Sequence, residues 1–284
     1  MNRFTVTGRL KGPLQVISML SGKGGVGKSI LAFNLAERLS ASGYEVLLVD
    51  ADLTGGNLHI LANADSSYGL AEFALERLSL AEAVTELASN LHLLPSLPHP
   101  DLESFSQLGG AGRMASRLRK AARGYQFVVV DHASGASSEA EAIAYASETA
   151  ILVLIPELTS ISDAYGLYKR LIRHRAGLDC RLIANRVIDN SEATYIRTKF
   201  RALSERFLGH SPAWLGAVSE DAVVRASLGR QQSVAETDRG SAFLGDLSNI
   251  AEQITGQSLS IARATADNTD KNINNLPAAA DKEE

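Results

Sequence analysis

The stretch Ser21–Ser29, SGKGGVGKS, gathers residue types that hold phosphate. Gly22-x-x-x-x-Gly27-Lys28-Ser29 has the spacing of a phosphate loop, the Walker A pattern. Its glycines let successive backbone N–H groups turn toward phosphate oxygens. The helix expected to start at Lys28 adds the partial positive charge of its N-terminus. Gly22, Gly24, Gly25, Val26, Gly27, Lys28, Ser29 and Ile30 form the nucleotide-binding set. In such a loop Lys28 serves the β- and γ-phosphates and Ser29 ligates Mg²⁺. That chemistry needs one lysine. Lys23 is a second, either a solvated loop residue or a group with a task of its own. Two apolar runs end in carboxylates, Tyr44–Asp50 (continuing to Asp52) and Phe127–Asp131. The C-terminal ends of strands are where open α/β sheets bind ligands. A carboxylate there stands near Mg²⁺, usually through water, and Asp131 is assigned that place. Asp50 and Asp52 could each instead cap the following turn, where aspartate is common.

These side chains need strands to carry them. LQVISML, YEVLLVD, LHLLP, FVVVD, TAILVLIP, RLIAN and WLGAV are mostly continuous apolar runs. Such runs suit strands buried on both faces. Amphipathic stretches alternate with them: Lys28–Ser42, Leu70–Leu87, Gly112–Arg123, Glu139–Ser147, Ser160–Arg175 and Glu192–Leu208. Strand–helix alternation predicts an α/β fold, a mostly parallel doubly wound sheet with helices on both faces. Residues 1–256 are expected to form one domain. After Gly256 the chain turns polar, rich in Asn and Ala and mildly acidic, so 257–284 are expected to form a disordered tail.

Composition narrows the function classes. The 284 residues hold 28 basic against 32 acidic side chains, a formal charge of −4. Nucleic acid or anionic lipid would therefore have to be bound by a local patch. One cysteine, Cys180, supplies neither an internal disulfide nor a multi-cysteine metal site. No signal peptide is read in the first residues, and no apolar run reaches the roughly 20 residues of a membrane span. The expectation is a cytoplasmic protein.

The loop Gly22-Lys23-Gly24-Gly25-Val26-Gly27-Lys28-Ser29 resembles the deviant Walker A of the ParA/MinD family of ATPases. The resemblance covers roughly Val16 to Ile254. It implies a P-loop fold that binds ATP and Mg²⁺, hydrolyses ATP slowly under partner stimulation, and dimerises around the nucleotide. It makes Lys23 a charge delivered to the partner protomer's phosphates, in the manner of an arginine finger. By the same resemblance Lys23, Lys28 and Asp52 are the catalytic set, with Asp52 orienting the attacking water. Ser29, Asp50 and Asp131 attend Mg²⁺. Asn185 meets the adenine edge, where an amide offers both donor and acceptor; a loop-forming asparagine is the other reading. Asn57 matches the segment after Asp52, while Thr54-Gly55-Gly56 departs from it. Asp131-His132-Ala133-Ser134-Gly135 lacks the family's proline, and His132 is read as a packing or surface residue rather than a general base.

Within the family, Glu157–Tyr165 resembles a segment of the FlhG/FleN group, which regulates flagellar number and placement. Phe207-Leu208, Leu215–Val218 and Asp221 also resemble that group. The chain lacks the group's Asp-Gln-Ala-x-x-Leu-Arg segment before the loop and its C-terminal amphipathic helix. Autonomous membrane binding is therefore not expected. The resemblance implies an ATP-dependent homodimer and a protein partner in flagellar or positioning machinery. The alternatives are a ParA-type DNA partition ATPase and a non-catalytic nucleotide-dependent adaptor. Arg113, Arg117, Arg119, Lys120 and Arg123 form a run without acids, and Lys169, Arg170, Arg173, Arg175 and Arg181 a second cluster. Either is a solvated face or a nonspecific DNA patch with steep salt dependence.

Overall fold

The computed structural model describes residues 13–53, 55–99, 110–135 and 138–256. The expected tail, residues 257–284, lies outside them. Eight strands form one sheet: β1 (Gln15–Leu20), β2 (Val46–Ala51), β3 (Thr85–Ala88), β4 (Leu91–Leu94), β5 (Phe127–His132), β6 (Thr149–Leu154), β7 (Asp179–Val187) and β8 (Ala213–Ser219). Their order is β3-β4-β2-β5-β1-β6-β7-β8. Every pairing is parallel except that of β3 with β4. All seven apolar runs are strands.

The helices are α1 (Lys28–Ala41), α2 (Leu58–Leu61), α3 (Leu70–Ala74), α4 (Leu80–Ala83), α5 (Gly110–Ala121), α6 (Ser138–Tyr145), α7 (Leu158–His174), α8 (Asn190–Leu208), α9 (Ala222–Arg230), α10 (Val234–Thr237) and α11 (Ala242–Thr255). The expected helix over 70–87 is instead α3, α4 and β3. Glu76 stands at φ 61 after α3, and Ser79 opens α4 in a capping box with Glu82. β3 is a short antiparallel edge strand.

Alternate residues of each strand serve opposite faces. Ile17, Leu48 and Val129 join α1 and α11 in one core. Val16, Leu47, Val49, Val128 and Val130 face the other way, onto α3 and α5. Leu152, Leu154 and Leu182 pack against α7 and α8. With both faces covered, β5 and β6 are buried along their whole length. This layering fixes the strand ends that carry the candidate site. Among the described residues, no helix is long and apolar enough to cross a membrane.

Candidate functional site

The loop between β1 and α1 turns twice through left-handed backbone, at Gly25 (φ 77) and at Gly27 (φ 83), the N-cap of α1. No side chain caps that helix end, so its first N–H groups remain for a ligand. Gly22 is required by packing: a Cβ there would lie 2.3 Å from the Asp163 carbonyl carbon on α7. At Gly27 a Cβ would lie 2.5 Å from Asn185 Nδ2.

A cavity of about 310 Å³ opens against this loop. Gly24, Gly25, Val26, Gly27, Lys28, Ser29 and Ile30 line one side, and Asp50, Asp52 and Asp131 the other. The sheet brings the carboxylates together, since Asp50 and Asp131 are register partners on adjacent strands. Lys28 is 7% exposed and its Nζ is paired with Asp131 Oδ1. Burial pushes the Asp131 carboxyl up; the Lys28 charge and the Ser29 hydroxyl oppose that rise. Burial likewise pushes Asp50 up to about 7, although the Leu58 and Asp52 N–H groups donate to it at 3.0 and 3.2 Å. Asp50 thus holds the turn into α2 and also faces the cavity. Asp52 accepts from Gly55 N at 3.0 Å.

His132 also lines the cavity but is fully buried, and its Nε2 lies 2.9 Å from Ser18 Oγ. Burial, aided by the Lys28 charge, drives it down to about 3. A neutral ring tied into the sheet fits the packing reading of this residue.

The residues present suit a magnesium nucleotide. The Ser21 hydroxyl is buried, unpartnered and on the cavity wall. The loop supplies N–H donors and a cation for phosphate, the strand ends supply carboxylates for Mg²⁺, and Ser29 in the first turn of α1 supplies a hydroxyl. Among the described residues, no three His, Cys, Asp or Glu side chains form a protein-only metal site. Mg²⁺ is commonly held by one or two carboxylates together with phosphate oxygens.

Lys23, Gly22 and Asn185 do not line the cavity. Lys23 Nζ lies at the surface, 2.5 Å from Glu157 Oε2 and 3.3 Å from Thr159 Oγ1. That contact holds the Glu157 carboxyl below its ordinary range. Arg186, at φ 59, pairs with Glu220 at 2.7 Å and also bears on Glu157. Leu158 and Ile188, next to this cluster in sequence, are 71% and 79% exposed. Asn185 is 5% exposed and donates to Val26 O at 2.8 Å, bracing the loop from behind. Sequence reasoning gave no role to Glu157, Thr159, Ser21 or Ser134. A pair such as Lys23–Glu157, 134 positions apart, leaves no local signal.

A family model described as an AAA domain matches residues 14–177. The chain is 29% identical to the antiactivator FleN of Pseudomonas aeruginosa over 79% of its own length and 80% of that protein. It is 28% identical to the flagellum site-determining protein YlxH of Helicobacter pylori, over 76% and 73%. The septum site-determining protein MinD of Pyrococcus horikoshii, solved with Mg-ADP, shares its fold with a TM-score of 0.70. That match has 24% identity and covers 85% of this chain and 96% of that one.

Proposed function

The chain belongs to the ParA/MinD family of P-loop ATPases, related to the FleN/FlhG flagellar regulators, and on that premise we propose that it is an ATP-driven dimer switch. One observation carries the reading. The loop's two lysines are separated, Lys28 into the cavity and Lys23 out to the surface on Glu157. A cation held outside its own site supports a role for it at another.

In this reading Lys28 and the loop N–H groups hold the phosphates of ATP, the substrate. Ser29, Asp131 and Asp50 would hold Mg²⁺, which when bound supplies positive charge to the β- and γ-phosphate oxygens. Asp52 positions the attacking water. Asn185 takes the adenine edge as well as bracing Val26. Lys23 leaves Glu157 and neutralises transition-state charge in the partner protomer, so hydrolysis follows assembly. Exposed Leu158, which follows Glu157, and Ile188, two residues beyond Arg186, add apolar area to the dimer face. Turnover is slow and raised by a partner, which we place in flagellar or positioning machinery because YlxH is named a flagellum site-determining protein and MinD a septum site-determining protein.

Light scattering after size exclusion tests the switch. Asp52→Ala should remain a dimer with ATP and Mg²⁺ and a monomer with ADP. A monomer in both would contradict it.

A further inference from the structure

On the face of the sheet that carries α5, a second cavity of about 550 Å³ lies between α3, α4 and α5. Phe73, Leu80 and Ala121 give it apolar walls, and Arg113, Arg117 and Lys120 give it charge. These cations recur at i, i+4 and i+7 of α5, so they share one helix face. Ala111, Met114, Ala115 and Leu118 bury the opposite face. The Arg117 guanidinium lies 4.7 Å above the Phe73 ring and donates to Leu78 O at 3.2 Å, so it is held in place.

Glu76 is the single acid in the lining. It pairs with Arg113 at 3.2 Å and with Arg117 at 3.8 Å. Its backbone stands at φ 61, just after the C-cap of α3, where glycine is the favoured residue. Left-handed backbone is unfavourable for a residue that carries a side chain. The fold therefore holds a carboxylate between two guanidinium groups in a conformation that glycine would adopt more readily.

We propose that this groove docks an acidic segment of a partner protein. The segment's carboxylates would take up Arg113, Arg117 and Lys120, in part replacing Glu76, while Phe73 and Leu80 stay buried beneath them. Guanidinium forks match carboxylates two bonds at a time. Charge complementarity selects this occupant: three cations face one internal acid. Nucleic acid fits less well, because Glu76 stands among the cations and would repel phosphates. Among the described residues no large exposed apolar side chain lies on α3, α4 or α5, so a membrane surface would find no anchor there.

The groove shares no lining residue with the nucleotide cavity. Its test can therefore be run on nucleotide-free full-length protein and can fail independently of the dimer switch. The probe is a fluorescein-labelled helical peptide of Glu and Leu, read by anisotropy. A Gln/Leu peptide, a random DNA duplex and phosphatidylserine vesicles serve as comparisons. The acidic peptide should bind in preference to all three. Arg113→Glu and Lys120→Glu, at exposed positions, should each weaken it about tenfold with melting unchanged. Glu76→Gly should tighten it several-fold and preserve or raise the melting temperature, an outcome that a merely structural Glu76 does not give. The proposal is overturned if the acidic peptide does not bind, if the Gln/Leu peptide binds equally, if the charge variants leave binding unmoved, or if duplex or vesicles bind better through these same residues.

Discussion

Lys23 and Lys28 belong to one loop and live in opposite surroundings. Lys28 is 7% exposed, ion-paired with Asp131 and aimed at the cavity. Lys23 is 38% exposed and tied to Glu157 across the surface. A buried pair is rigid and costly to break, because the abandoned partner stays desolvated. An exposed pair is held weakly and exchanges readily. In the proposed function the lysines have different tasks: one is preorganised within the protomer, and the other changes partners.

The largest expected effect is at Lys28. Lys28→Ala should reduce ATP turnover by about 10³-fold or more and weaken nucleotide binding, measured with a fluorescent ATP analogue. It should also destabilise the fold by about 3 kcal/mol by stranding Asp131, seen in urea titration. Lys23→Ala should reduce turnover by a similar factor, about 10³-fold, but leave melting and ADP binding unchanged. If Lys23→Ala were to lose ADP binding as Lys28→Ala does, the contrast between the lysines would collapse.

The smallest effect tests what a buried charge does without a cation. Glu37, on the helix that carries Lys28, has a sealed Oε2 with no hydrogen-bond partner. Burial pushes it from 4.5 up to about 8, with the Ser233 hydroxyl opposing and Glu236 adding to the rise. A raised carboxyl means that the fold favours the protonated form. That contribution is full below pH 4.5 and is lost as pH rises through about 8. Glu37→Gln should melt with wild type below pH 4.5, rise above it as pH climbs, and hold an advantage of several degrees once pH exceeds about 8. Parallel melting profiles would remove Glu37 from the account.

The legible parts of this molecule were those with local signatures. Runs such as FVVVD and TAILVL were readable because a strand buried on both faces must be continuously apolar; WLGAV is a strand too, although edge strand β8 is only partly buried. The phosphate loop was readable because its glycines and lysine act through the backbone of one turn. β3 was not, because TELA is short and half-exposed at a sheet edge. Leu70, Phe73, Leu80 and Ala83 keep a helical rhythm across Glu76, which hid the break there. The capping box Ser79-x-x-Glu82 was the available sign of a new helix start. Asn185 was assigned to adenine, and its contact with Val26 emerged only when β7 was set behind the loop.

The central claim is that Lys23 serves the partner's site, and mixing two inactive variants tests it most directly. Lys23→Ala keeps Asp52, and Asp52→Ala keeps Lys23. In a mixed dimer, the site on the Lys23→Ala protomer has its own Asp52 and receives Lys23 from across the interface. ATP turnover, negligible in either variant alone, should reappear on mixing and saturate as the Asp52→Ala protein is added in excess. If Lys23 acts within its own protomer, no mixed dimer contains a complete site. A mixture that stays silent while light scattering shows mixed dimers forming would contradict the account.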